Sequence, residues 1–415
     1  MLPVSTDVKS AGKLPFFFLI SGIFSLLLSN ILLFWAVPDL AAGIYRTPTV
    51  WAWAHLFILG FATMVAMGAM YQLVPVALQV SVKSLKLGYY QFFIYAIGVF
   101  GLAIGFFSLH LPLLIASGIL VFVGFLLFIH NMMCTIRQMT THTDISKHIM
   151  SALIYLLLTV LLGLLFVLNL KWGFLGTFQS HLYYVHFIMG LVGWFTLLIF
   201  GFSYKMLPMF SLSHGFGEKR PAKVLLLTHA GVLISIIGAL VVNRYIVAIG
   251  ILIILSAYAQ FMLHARDIVL KRMKRNLDIG VKASIVGIGL GCLALLVLVL
   301  FIVFYPSEEW ILASVLLFIY GWLGFSITGY LYKIVPFLWW THKYSSRIGK
   351  ENVPQLKDLT SETLGKKLFI LKLVGILLFS ISIGFHAMTI MWIMAAVLLV
   401  ATLIYSVVSI GVFQK

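Results

Sequence analysis

The chain has 415 residues, 62% hydrophobic and 9% charged, with a formal net charge of +17. Soluble globular domains carry about 25% charged residues, so this composition excludes an ordinary water-soluble fold. The basic excess would suit a nucleic-acid binder, but its distribution along the chain argues for a different cause.

Apolar runs follow one another from end to end, each long enough to cross a hydrocarbon core of about 30 Å. Twelve spans are expected, at 15–37, 51–80, 90–108, 112–137, 148–170, 180–211, 222–242, 245–264, 283–304, 309–340, 367–385 and 387–413. Lys9 and Lys13 precede the first, as before a signal peptide. The run is long and no small-residue cleavage site follows it, so it reads as a retained helix. The longest polar stretch, Thr341 to Lys366, reads as a loop and leaves no room for a soluble domain. The expected fold is an all-α integral membrane protein, one polytopic membrane domain over 1–415.

With the N-terminus in the cytoplasm, the basic residues fall mostly in inward loops. These are Lys83 and Lys86; Arg137 and Lys147; Lys219, Arg220 and Lys223; Arg266 through Lys282; and Lys343 through Lys367. Outward loops hold Arg46, Lys171 and Arg244. This is the positive-inside bias, and it puts both termini in the cytoplasm. The charge reports orientation and contact with anionic lipid, with no nucleic acid as partner. Cys134 and Cys292 stand alone in separate spans and form no thiol or zinc motif.

The second, sixth and tenth spans share a signature. "GAMYQLVP" (Gly68–Pro75), "GFSYKMLP" (Gly201–Pro208) and "GYLYKIVP" (Gly329–Pro336) all read Gly-x-x-Tyr-Gln/Lys-apolar-apolar-Pro. Gly60-Phe61, Gly193-Trp194 and Gly321-Trp322 each begin fifteen residues before the proline. The intervals of 133 and 128 residues each contain four spans. Glycines here serve close helix packing and the tyrosines sit as interfacial aromatics. Their recurrence marks three pseudo-repeated four-helix sets, approximately 1–138, 139–265 and 266–415.

Imidazole is a common ligand for haem iron and copper, and depth sorts the twelve histidines. His130, His142, His148, His214, His264 and His342 fall at inner ends or loops and read as solvated or interfacial. His110 and His386 fall in outer turns. Four remain: His55 in "WAWAHLFILGF", His181 and His186 in "HLYYVH", and His229 in "LLLTHAGVL". A polar residue inside an apolar helix faces the protein interior and marks either packing or function. His181 and His186 are five residues apart, about 140° around a helix, and do not suit one metal without distortion.

All eleven acidic residues fall in expected loops or near helix ends. No mid-membrane carboxylate is present to carry a proton, which weakens a proton pump or proton-driven carrier. An ordinary solute transporter would need a mid-membrane polar cavity, and none is evident. Lys205 and Lys333, each three residues before its proline, read as snorkelling to lipid phosphate. No Walker loop, dinucleotide fingerprint or zinc-protease motif occurs.

The three sets of four, with "HFIMGLVGWFTLLIFGFSYKMLP" (His186–Pro208) and "YGWLGFSITGYLYKIVPFLW" (Tyr320–Trp339), resemble subunit I of the haem–copper oxidase superfamily. The likeness is to its C-family (cbb-type) members and nitric oxide reductases, and also to NnrS-like proteins, which are haem-associated. Helix count and order agree over nearly the whole chain; sequence likeness is sharp only in the second, sixth and tenth spans. The resemblance implies a b-type haem in the outer half of the membrane, with His55 in the position of a low-spin haem ligand. It also implies copper, with His186 in the sixth-helix ligand position and His229 in one seventh-helix position. His55 and His186 are the first haem-ligand candidates, with His229 next, and His181 is a further candidate for the metal. Thr228 and Ala230 flank His229, so the family's adjacent histidine pair is incomplete. In the tenth span Ser314 and Leu316 stand where the family has both haem-ligating histidines. Tyr320 reads as an aromatic packing residue.

The expected function is therefore haem binding with a role in respiratory or nitric oxide metabolism rather than standard oxygen reduction. Oxidoreductase chemistry is left open. Lipid, haem, a small gas ligand (nitric oxide or oxygen) and a second membrane subunit or another copy are the expected partners, in a bacterial inner membrane. The alternative is a non-catalytic haem or copper carrier or assembly protein. For copper, Met64, Met67 and Met70 would supply soft ligands along one stripe.

Overall fold

The computed structural model describes residues 12–217 and 220–415. Asp7, Lys9, Glu218 and Lys219 of the charge pattern lie outside the described residues. Among those described, the chain is helical with no strand; an isolated bridge pairs Ser213 with Arg272. Twelve helices are long and apolar enough to span a membrane. They are α1 Leu14–Ala41, α2 Pro48–Leu78, α3 Leu85–Ser108, α4 Leu111–Ile136, α5 Asp144–Trp172 and α6 Gly176–Ser211. The second half comprises α7 Arg220–Leu240, α8 Arg244–Leu270, α9 Ile279–Val303, α10 Glu308–Arg347, α11 Glu362–Gly384 and α12 Met388–Gln414. The fold is all-α and multi-pass.

Several helices begin earlier than hydropathy places them, because capping side chains start them within polar flanks. Ser84 accepts a hydrogen bond from Leu87 N and starts α3 at Leu85. Thr143 does the same for Ser146 N at α5, and Ser361 for Leu364 N at α11. Each hydroxyl satisfies an amide that the helix itself leaves unpaired.

The chain divides into two compact units. One comprises residues up to Phe18, Ala66–Lys274 and Leu295–Ser307; the other comprises Leu19–Val65, Arg275–Ala294 and Glu308–Lys415. In the first unit, α7 and α8 pack so closely at Gly231 that a Cβ there would lie 2.8 Å from Gly250 O. Small residues permit this backbone approach where lipid gives no hydrophobic drive. Isoleucines and valines such as Ile97 and Val407 lie exposed along the spans, as lipid contact requires.

The three signature-bearing helices share a departure from α geometry. Each contains a π-helical segment: Leu56–Thr63 in α2, Ile188–Thr196 in α6 and Phe318–Gly324 in α10. All three end twelve residues before the signature proline. In two of them a threonine donates to the carbonyl five residues back, Thr63 to Ile58 O at 2.8 Å and Thr196 to Leu191 O at 3.2 Å. The conserved-register glycines admit the neighbouring helix. A Cβ at Gly60 would meet Ser25 of α1, at Gly193 Tyr155 of α5, and at Gly321 Leu290 of α9.

The signature tyrosines each meet the helix two further along the chain, through different partners. Tyr71 accepts from Asn131 of α4, Tyr204 packs on His264 of α8, and Tyr332 packs on Tyr405 of α12. They are buried at 0%, 7% and 5% exposure rather than interfacial. Lys333 does not snorkel: its ammonium lies 2.8 Å from Asp278 Oδ2, with the side chain 17% exposed.

Candidate functional site

His55 sits one residue before the π segment of α2. Thr47 caps this helix and Pro48 occupies its first turn, where a missing N–H costs nothing. Thr47 and Thr49 donate to Asp39 Oδ2 at 2.7 and 2.5 Å, tying the turn to the end of α1. His55 is half-buried, and its Nδ1 lies 2.8 Å from Trp51 O. A carbonyl only accepts, so in the neutral ring Nδ1 carries the proton and Nε2 the lone pair.

His186 sits two residues before the π segment of α6. Its Nδ1 donates across to Thr159 O of α5 at 3.0 Å, and its ring meets Phe166 edge-on at 5.6 Å. Gly163 leaves room for the imidazole, whose Cε1 would lie 3.4 Å from a Cβ there. The tautomer is again Nδ1–H, the state in which a second-sphere carbonyl orients an imidazole whose Nε2 binds metal.

His229 is built differently. Tyr155 Oη lies 3.0 Å from its Nδ1 and Ser151 Oγ 3.0 Å from its Nε2. Both nitrogens are used in bridging α7 to α5, so a metal would have to displace a hydroxyl. His181 packs against Phe178 at 5.7 Å, and its buried Nδ1 has no hydrogen-bond partner.

The copper expectation does not fit these side chains. His229 engages α5 at Ser151 and Tyr155, whereas His186 engages it at Thr159 and Gly163. Those levels differ by eight residues, about 12 Å along the helix. The two imidazoles do not converge on one ion. Among the described residues, no group of three or more His, Cys, Asp or Glu side chains could hold a metal. Met64, Met67 and Met70 are each fully buried, and Met67 Sδ accepts from Gln91 Nε2 at 3.3 Å.

Haem fits better. His55 and His186 present the donor chemistry of an axial ligand. Ser314 and Leu316 of α10 are buried at 1% and 2%. Tyr320 accepts a hydrogen bond from Trp53 Nε1 at 3.1 Å and stacks on that indole, the packing role its sequence suggested.

Two features escaped the sequence. His148 and His264, expected to be solvated, are 0% and 2% exposed. They lie on the Tyr204 ring, with centroids 5.6 and 5.3 Å away. His148 Nε2 and the Tyr204 hydroxyl are buried without a partner, and the His264 ring lies against the Gly217 backbone without a well-formed hydrogen bond. Contacts across helices bury them, with the signature tyrosine on both rings and Phe216 also on His264. The second feature is Lys372, a charged residue inside an apolar span that lines a small, mainly apolar cavity. The signal that could have found it is a third lysine of α11 set within the apolar run, beyond Lys366 and Lys367.

The chain is a multi-pass α-helical membrane protein. No protein-family model matches it, and no curated protein matches it in sequence.

Proposed function

We propose that the protein binds a b-type haem in the membrane and serves respiratory or nitric oxide metabolism, on a plan resembling haem–copper oxidase subunit I. The observation that carries this reading is the like setting of two imidazoles, His55 and His186, which stand two residues apart in the repeat register. His55 and His186 each stand one or two residues before a π-helical segment, with Nδ1–H held by a carbonyl. π segments inside α-helices recur at functional sites. When bound, the haem supplies an iron centre that carries an electron or, with an open axial position, takes nitric oxide or oxygen. The protein's part is to fix ring orientation: Trp51 O and Thr159 O hold the two imidazoles and set which nitrogen is basic. Ser314 and Leu316 supply no second ligand set in α10, which favours a function other than standard oxygen reduction.

The loop charges favour both termini inside, and the resemblance and the short loops favour a bacterial inner membrane. A pyridine haemochrome of the detergent-purified protein, followed by carbon monoxide addition to the reduced form, tests the proposal. A b-type haemochrome is expected, and carbon monoxide reports an open iron position. Purified protein that stays free of haem after supplementation would defeat the reading.

A further inference from the structure

Lys372 stands ten residues from the start of α11 and twelve from its end, so about 15–18 Å of helix separates it from either terminus. It is 5% exposed. Its ammonium lies over the Tyr405 ring of α12, 4.7 Å from the centroid. Carboxylates of the same unit pair elsewhere, Asp278 with Lys333 and Glu309 with His386. An ammonium in this setting is withdrawn from bulk solvent and faces an aromatic ring rather than a carboxylate, a costly arrangement that in membrane spans accompanies function.

Around Lys372 is a cavity with room for about one water molecule. Asn30, Tyr320, Thr328 and Thr402 supply the rest of its polar lining. Asn30 is 1% exposed; its Nδ2 donates to Leu26 O at 2.9 Å, while its Oδ1 has no hydrogen-bond partner. Tyr320 accepts from Trp53, so its own proton is left to donate. The Thr328 hydroxyl is used by Gly324 O at 2.9 Å. Tyr320 and Gly324 belong to the π segment of α10, and Phe57, whose ring packs against both, to that of α2.

We propose that this cavity binds one water molecule between the Lys372 ammonium and Asn30 Oδ1, and that Lys372 exchanges its proton through it at the middle of the membrane. The lining favours water over a bare anion. Asn30 Oδ1 and the face of Tyr405 both present negative charge density, which suits a cation and a molecule able to accept and donate. In the exchange an Nζ–H bond breaks, its electron pair stays on nitrogen, and an O–H bond forms on the water; reprotonation reverses both. The other ionisable groups here are Tyr320 from α10 and Tyr405 from α12. α1 and α2 bring only uncharged side chains, Asn30, Leu26 and Phe57. The site is independent of haem.

Solid-state NMR of the full chain in proteoliposomes, with 15Nζ-labelled lysine, tests the proposal. The Lys372 signal is assigned by its loss in Lys372→Met. It is expected to receive magnetisation from water and to switch reversibly between protonation forms across about pH 5 to 10. In Asn30→Leu the transfer from water is expected to be lost; Asn30→Asp, which keeps an acceptor and the side-chain size, should retain it if the leucine variant folds poorly. No water transfer in the wild-type protein, one fixed protonation form, or a signal that follows chloride concentration instead would each overturn it.

Discussion

Two polar clusters inside apolar helices are finished in opposite ways. On α5, the hydroxyls of Ser151 and Tyr155 use both nitrogens of His229, and Thr159 O takes the His186 Nδ1–H. Around Lys372, an ammonium has an aromatic face but no carboxylate, and Asn30 Oδ1 has nothing. The same unit shows that a lysine can be satisfied, since Lys333 holds Asp278. The difference separates architecture from function. A polar group in a membrane helix that is fully bonded ties helices together, whereas one left unbonded is held against its own cost.

That contrast can be broken at graded strengths. The largest effect is expected at Gly193→Leu, whose side chain would collide with the Tyr155 ring that also holds His229. A loss of about 3 kcal/mol should appear as a lowered melting temperature in detergent. His229→Leu leaves the Tyr155 and Ser151 hydroxyls unpaired and should cost about 2 kcal/mol, without altering any haem spectrum. A spectrum lost with His229 would make it a ligand rather than a strut.

Lys372→Met reverses the sign. Replacing an uncompensated buried charge with an apolar chain of similar length should leave stability unchanged or raise it by about 1–2 kcal/mol. A clear destabilisation would show that Lys372 is structural. The smallest effects belong to Thr63→Val and Thr196→Val. Each removes one hydrogen bond to a carbonyl five residues back and should cost about 1 kcal/mol. The two losses should match if the π segments are equivalent; thermal melts of both variants would show it.

Much of the fold was legible because bilayer thickness imposes a length on each apolar run. All twelve spans stand where hydropathy places them, but three start four or five residues early, since Ser84, Thr143 and Ser361 cap helices within polar flanks that hydropathy ignores. The signature was legible as a repeat, and the shared π segments give it a backbone meaning that no residue count supplies. Burial was the least legible property. His148 and His264 lie near helix ends, and contacts across helices, with Tyr204 above all, remove them from water. His229 looked like a ligand because its sequence neighbours are apolar; the groups that bond it lie 74 and 78 residues away, on α5.

The most direct test of the haem assignment is the reduced-minus-oxidised optical spectrum of the purified protein beside His55→Ala and His186→Ala. A b-type difference spectrum in the parent, lost or shifted in either variant while both still fold, is the predicted result. A colourless parent after haem supplementation, or a spectrum that neither substitution changes, would contradict it.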